Sequence, residues 1–203
     1  MNICKRKRLE NKMERKIQIF VSGSTDANIS KEYRQAAEDF GRMLDIKKHQ
    51  LVFDGCKGLP GVVASQMQQP NDNLSIATTS NYPIPKWPLA KIRVFRDQSE
   101  VTRTLLSWSD VAVFFKGGSG TLTELFHAID TKKNGEHNKP ILILNIQNQW
   151  DELIKLLATM RLSHLYHIMA TPQEIMAFID ENVKLNSTSV TICHEKTSDD
   201  YER

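Results

Sequence analysis

The sequence predicts an α/β protein, a single domain built on a doubly wound parallel sheet with helices on both faces. Three observations predict it. Apolar stretches of strand length alternate with amphipathic stretches through at least five units. Residues 111–115 and 141–144 are apolar at every position, as expected of parallel strands covered on both sides. Polar turns follow three of the strands, at 22–25, 54–61 and 117–121, and ligands on such sheets sit beyond the carboxyl ends of the strands.

In chain order, residues 16–21 alternate and then run apolar, which makes the first strand. The turn that follows (Ser22, Gly23, Ser24, Thr25) offers hydroxyls and amides to an anion. Residues 29–44 read as a helix, with Ser30 as N-cap and Tyr33, Ala36, Ala37, Phe40 and Leu44 on its buried stripe. A short strand at 50–53 leads into the second glycine-rich turn and a helix over 62–68. Residues 70–73 break the chain, and a strand follows at 74–78. Residues 81–88 hold three prolines, a tyrosine and a tryptophan, which excludes regular structure. This segment is either a cover over a ligand site or a surface loop anchored by Trp87. A strand at 92–95 and a helix at 99–107 precede the stretch around which the chain is organised.

That stretch, 111–124, is a buried strand, a glycine-rich turn and the first turn of a helix. Three glycines in four positions (Gly117, Gly118, Gly120) let the backbone turn sharply and approach a ligand closely. Leu122, Leu125, Phe126 and Ile129 then fall at helical spacing. A helix start presents unpaired N–H groups and the positive dipole end, which suits a phosphate. Glu124 lies one turn in. The spacing fits neither a dinucleotide-binding G-x-G-x-x-G nor a Walker A loop, and Lys116 precedes the glycines. A turn kept for packing alone is the competing reading.

Further on, 132–139 is a polar loop and 140–145 an apolar strand. Residues 150–159 form a helix with Trp150, Leu153, Ile154 and Leu157 on one face. Thr171 and Pro172 are an N-cap and first helical position, and that helix runs to about residue 184. The domain thus spans 17–185, between a basic segment 1–16 and a polar, frayed segment 186–203.

The chain has 203 residues, 40% hydrophobic and 25% charged, ordinary values for a globular protein. It holds no run of eighteen apolar residues, so no membrane helix is expected. The basic N-terminus lacks the apolar core of a secretory signal. Three widely spaced cysteines (Cys4, Cys56, Cys193) make neither a disulfide framework nor a zinc pattern, and a reducing cytoplasm is the expected location. Residues 1–16 carry seven Lys or Arg against two Glu, so the net +3 leaves the remainder at −2. The basic character belongs to a tail, read as a solvated extension in preference to a nucleic-acid arm.

The motifs resemble those of the LOG (Lonely Guy) family, formerly described as lysine decarboxylases, whose members are similar to cytokinin riboside 5′-monophosphate phosphoribohydrolases. Lys116-Gly117-Gly118-Ser119-Gly120-Thr121-Leu122-Thr123-Glu124 resembles P-G-G-x-G-T-x-x-E. Gly23-Ser24-Thr25 resembles part of C-G-S-S, and Val52-Phe53-Asp54-Gly55 through Gly58-Leu59-Pro60-Gly61 resembles V-Y-G-G followed by G-L-M-G. His137-Asn138-Lys139-Pro140 through Asn145 resembles H-D-K-P-x-x-L-L-N. The likeness runs over about residues 17–180. It implies a Rossmann-like fold, a homodimer, and a nucleoside 5′-monophosphate whose N-glycosidic bond is hydrolysed to free base and ribose 5-phosphate. It implies neither metal nor cofactor.

The resemblance also implies roles. Glu124 is the catalytic carboxylate. Gly117, Gly118, Ser119, Gly120 and Thr121 hold the phosphate, and Gly23, Ser24 and Gly58 line the opposite wall. Three departures stand out. The signature proline is Lys116, Asp54 replaces a glycine, and the arginine and lysine of the family's M-H-x-R-K fall on Val101 and Thr102. Arg103 is the nominated catalytic arginine, although two residues turn a helix by about 200°; Arg93 and Arg96 are alternatives. Asp54 either contacts a ribose hydroxyl or caps its own turn. Cys56 is expected as a small core residue, Trp108 as core, and His127 and His137 as packing or surface residues. The base stays open among cytokinin, purine and pyrimidine. A non-catalytic nucleotide-binding domain is the competing function, favoured by the displaced arginine and opposed by Glu124. A third is an interaction protein with a structural glycine turn.

Overall fold

The computed structural model describes residues 15–26, 28–67, 71–81 and 87–183. The basic segment up to residue 14, residues 82–86 of the proline-rich segment and the polar stretch from 184, with Cys4 and Cys193, lie outside the described residues.

The chain runs β1 (Ile17–Ser22), α1 (Lys31–Met43), β2 (His49–Phe53), α2 (Leu59–Gln66), β3 (Leu74–Thr79), β4 (Lys91–Phe95), α3 (Gln98–Trp108), β5 (Val111–Phe114), α4 (Ser119–Lys133), β6 (Ile141–Leu144), α5 (Asp151–Thr159), β7 (His167–Met169) and α6 (Pro172–Asn182). The strands form one seven-stranded sheet in the order β4-β3-β2-β1-β5-β6-β7. Every pairing is parallel. The winding reverses between β1 and β5, the place where a doubly wound sheet opens a crevice for ligands.

Alternation within the strands builds two cores. Ile19, Val21, Leu51, Phe53, Val111, Val113, Leu142 and Leu144 face α1, α2 and α6. Phe20, Val52, Ala112, Phe114, Ile141 and Ile143 face α3, α4 and α5. Both sets are essentially inaccessible, which is why β5 and β6 are apolar at every position. Tyr33 is buried on α1; its hydroxyl donates to the Leu144 carbonyl and accepts from the Ile146 N–H, both at 3.1 Å. Asp110 accepts the Gln18 N–H at 2.8 Å and pairs with Arg15 at 2.6 Å, fixing the start of β5 beside β1.

The structure corrects several boundaries. α2 begins at Leu59, not at 62, because Pro60 occupies the first turn, where a missing N–H leaves no gap. α5 begins at Asp151, with Trp150 in the N-cap position. β7 has only three residues, too few to show a period, and forms because β6 offers it an edge. Ser30 holds the N-cap of α1 without a side-chain capping bond, whereas Asp97 and Thr171 accept the N–H groups of Glu100 and Glu174 at 2.9 and 3.2 Å. Trp108 is half-buried against the second core rather than enclosed in it.

Candidate functional site

The turns after β1, β2 and β5 interlock. The Phe115 N–H donates to the Ser22 carbonyl at 2.9 Å, the Ser24 N–H to the Lys116 carbonyl at 3.0 Å and the Leu59 N–H to the Ser24 carbonyl at 2.8 Å. The β1 turn is clamped between the other two. A Cβ on Gly58 would lie 2.1 Å from the Ser24 carbonyl oxygen, and one on Gly117 would lie 2.0 Å from Thr121 Oγ1. Close approach demands both glycines, of the Ser24–Thr25 backbone at Gly58 and of the Thr121 side chain at Gly117. Gly118 and Gly120 differ, since a Cβ on either meets nothing within 4 Å.

Above these turns opens a cleft of about 1450 Å³, walled by all three turns, the start of α3, Trp87 and Gln149. Gly118 is the N-cap of α4 and brings no side-chain cap. The first-turn amides of α4 therefore face the cleft without an intrahelical partner, and the helix dipole adds positive potential there.

Glu124 is buried just beyond the first turn of α4, and the Ser22 hydroxyl donates to its carboxylate. Removal from water pushes its pKa up to about 7; the Ser22 hydrogen bond opposes the rise, and the negative charge of Asp54 adds to it. Asp54 follows β2 and is half-buried at the cleft wall. Its carboxylate accepts the Cys56 N–H at 3.0 Å, so it caps its turn. Gly55 takes the left-handed conformation the turn needs, with φ +82°. Because Asp54 helps hold the proton on Glu124, Asp54→Asn is expected to move the Glu124 titration to lower pH. Carbon-13 NMR of the Glu124 carboxyl reads this directly, and an unchanged midpoint would refute the coupling.

Gly23, Ser24, Gly117, Gly118, Ser119, Gly120, Thr121 and Glu124 all line the cleft. Gly58 does not; it lies against the Ser24 backbone. Arg103 is exposed and does not line the cleft, whereas Val101 and Thr102 on the same helix do. The nomination of Arg103 thus fails on helical geometry. Arg93 and Arg96 are also outside the cleft, and Arg93 sits over the Phe95 ring at 5.9 Å. Among the described residues the cleft's cations are Lys57 and Lys116, and Lys116 Nζ donates to Gln149 Oε1 at 2.7 Å.

Cys56 lines the cleft, and burial raises its thiol pKa, which leaves it a poor nucleophile. His137 braces the loop after α4, donating to the Ala128 carbonyl at 3.1 Å and accepting the Lys139 N–H at 3.2 Å. Lys139 in turn caps the C-terminus of α3 through the Leu106 and Ser107 carbonyls. Sequence reasoning missed Ser22 as the partner of Glu124, and it missed Gln98 and Gln149 altogether. The signal for Ser22 is a hydroxyl closing the apolar run 19–21.

Among the described residues no cluster of three or more His, Cys, Asp or Glu is placed to hold a metal ion, and no helix is long and apolar enough to cross a membrane. A family model described as "possible lysine decarboxylase" matches residues 59–188. A probable cytokinin riboside 5′-monophosphate phosphoribohydrolase of Oryza sativa subsp. japonica is 28% identical over 128 residues, covering 61% of this chain and 56% of that protein. A cytokinin riboside 5′-monophosphate phosphoribohydrolase of Arabidopsis thaliana is 27% identical over 144 residues, covering 69% and 66%. The chain thus spans less than two thirds of the length of these relatives. Among solved structures, the molybdenum cofactor binding protein of the phototrophic bacterium Rippkaea orientalis superposes with a TM-score of 0.65 at 19% identity, over 84% of this chain and 99% of that one, a likeness of fold. With its glycine turn and buried glutamate in the family's order, and more than half its length matched, the chain belongs to the LOG family, the "possible lysine decarboxylase" family.

Proposed function

We propose that the cleft binds a nucleoside 5′-monophosphate and hydrolyses its N-glycosidic bond to free base and ribose 5-phosphate. The observation that carries this reading is the buried Glu124 carboxyl, set one turn inside an uncapped helix start beside two glycines that no protein contact requires. The phosphate sits on the first-turn amides of α4, where Gly118 and Gly120 leave room for its oxygens. The sugar then extends toward Glu124.

As the C1′–N bond breaks, its electron pair leaves with the base and the sugar gains oxocarbenium character. A carboxylate in a water-poor site stabilises that charge. The attacking water forms the new C1′–O bond and gives a proton to Glu124, which passes it to the departing base nitrogen. A pKa near 7 suits both halves of this transfer at neutral pH. Ser22 holds the carboxylate in place.

The test is base release from a panel of nucleoside 5′-monophosphates, including an N6-isopentenyl adenosine one. Release that disappears in Glu124→Ala is the expected result; no release from any member would overturn hydrolysis. One observation favours the non-catalytic alternative: Val101 and Thr102 stand where the resemblance puts an arginine and a lysine, and no arginine among the described residues lines the cleft. The structural neighbour from Rippkaea orientalis is named for binding a cofactor. A nucleotide that raises the melting temperature without losing its base would support that alternative. The homodimer implied by the family is part of the same proposal, and light scattering checks it.

A further inference from the structure

We infer that the outer edge of β4 is a docking site for an extended acidic polypeptide segment, which pairs with β4 as one more strand of the sheet. This surface is separate from the cleft and independent of the nucleotide reading.

The edge itself is the first observation. β4 ends the sheet, and no strand among the described residues pairs with its outer side. A strand in that position presents N–H and C=O groups without partners, a template for another extended chain. Sheets commonly blunt such an edge by shortening it. β7, at the far side, does so with three residues, whereas β4 has five. Four of those five are exposed, and only Phe95 is partly buried, against the second core.

The two faces of β4 differ. Its register sets Ile92 beside Ile76 and Val94 beside Thr78, on the face of the first core. Ile92 is 36% and Val94 44% exposed. Just ahead of the strand Leu89 is 71% exposed and left-handed, with φ +65°, a conformation that costs energy in a residue other than glycine. On the opposite face Arg93 lies beside Ala77 of the second core, and Lys91 precedes it by two residues. Arg96 follows the strand. No ion pair among the described residues involves Lys91, Arg93 or Arg96. The nearest acids in the chain are engaged at the start of α3, where Asp97 accepts the Glu100 N–H at 2.9 Å and Glu100 accepts the Arg96 N–H at 3.1 Å.

These features select the occupant. Two copies of β4 paired antiparallel about its midpoint would set Arg93 against Arg93, and like charges directly opposite destabilise a strand pair. A nucleic acid answers the cations but neither the alternating backbone groups nor the apolar face. An extended segment that alternates acidic and apolar residues answers all three. Its backbone completes the ladder, its carboxylates fall opposite Lys91 and Arg93, and its apolar side chains cover Ile92 and Val94.

The experiment is titration of the full chain with a short peptide of alternating glutamate and valine, beside a peptide with lysine in place of each glutamate. Binding is followed by calorimetry and by amide hydrogen exchange. The glutamate peptide is expected to bind at least about tenfold more tightly than the lysine peptide, and less tightly as salt is raised. Alternate amides of β4 are expected to gain protection when it binds. The double variant Lys91→Glu, Arg93→Glu is expected to reverse the preference, a result that a folding defect cannot produce. Equal binding of the two peptides, or binding without protection of the β4 amides, would overturn the site. So would β4 amides protected before any peptide is added, which would make a segment of this chain the occupant. A dimer in light scattering that dissociates in the double variant would assign the edge to a second copy instead. A single-stranded oligonucleotide that binds at β4 where the glutamate peptide does not would assign it to nucleic acid.

Discussion

Glu124→Gln is expected to lower base release by roughly 10³-fold or more while nucleotide binding persists. Glutamine keeps the shape of the side chain, and its amide oxygen still accepts from Ser22, so the local packing of α4 against β1 survives. What disappears is the negative charge facing the sugar and the site that takes a proton from water. The same substitution is expected to stabilise the fold at neutral and higher pH. Burial pushes the carboxyl pKa up to about 7 in the folded chain from the ordinary 4.5 of an exposed glutamate, so the folded state retains a proton that the unfolded chain surrenders. Stability contributed by this group is therefore greatest below pH 4.5, falls as the pH rises, and is lost above about 7. The full penalty is on the order of 3 kcal/mol. Melting curves at pH 4.5 and pH 8 check this: Glu124→Gln should match the natural protein at the lower pH and exceed it at the higher. A glutamate kept only for helix-end electrostatics would give neither the rate loss nor the stability gain. Turnover within about threefold of the natural protein's would remove Glu124 from the proposed mechanism.

The sheet was readable because a parallel strand covered on both faces has no polar positions to blur it, as in β5 and β6. β7 was not readable, since three residues carry no period and their pairing is decided by β6. The direction of Arg103 followed from helix geometry once Val101 and Thr102 were matched to the family's cationic pair, and the structure places those two in the cleft. The bond between Ser22 and Glu124 joins residues 102 apart, and it follows from the β1–β5 register, which sets Ser22 beside Phe114. No local pattern encodes that register. In the sequence Gly58 reads as a ligand glycine, because a close approach by backbone and one by phosphate impose the same residue. Only the neighbours of the missing Cβ tell the two apart.

That distinction gives a second large effect. Gly58→Ala is expected to destabilise the chain by about 3 kcal/mol or more, whereas Gly118→Ala leaves stability within about 1 kcal/mol and weakens ribose 5-phosphate binding at least tenfold. A Cβ on Gly58 meets the Ser24 carbonyl oxygen at 2.1 Å and the Thr25 Cα at 2.5 Å. Neither can retreat cheaply. The Ser24 carbonyl accepts the Leu59 N–H, and the Ser24 N–H is tied to Lys116, so a shift at Gly58 would unlock all three turns together. At Gly118 the φ of −89° suits any residue and the added methyl meets no protein atom, so nothing in the fold resists alanine. The methyl instead enters open space at the cleft wall, on the side where the proposed phosphate has to approach. Thermal melts and calorimetry with ribose 5-phosphate on the two variants separate the cases. Should Gly118→Ala bind ribose 5-phosphate as tightly as the natural chain, the phosphate does not rest on the start of α4, and Glu124 loses the anchor that brings a glycosidic bond within its reach.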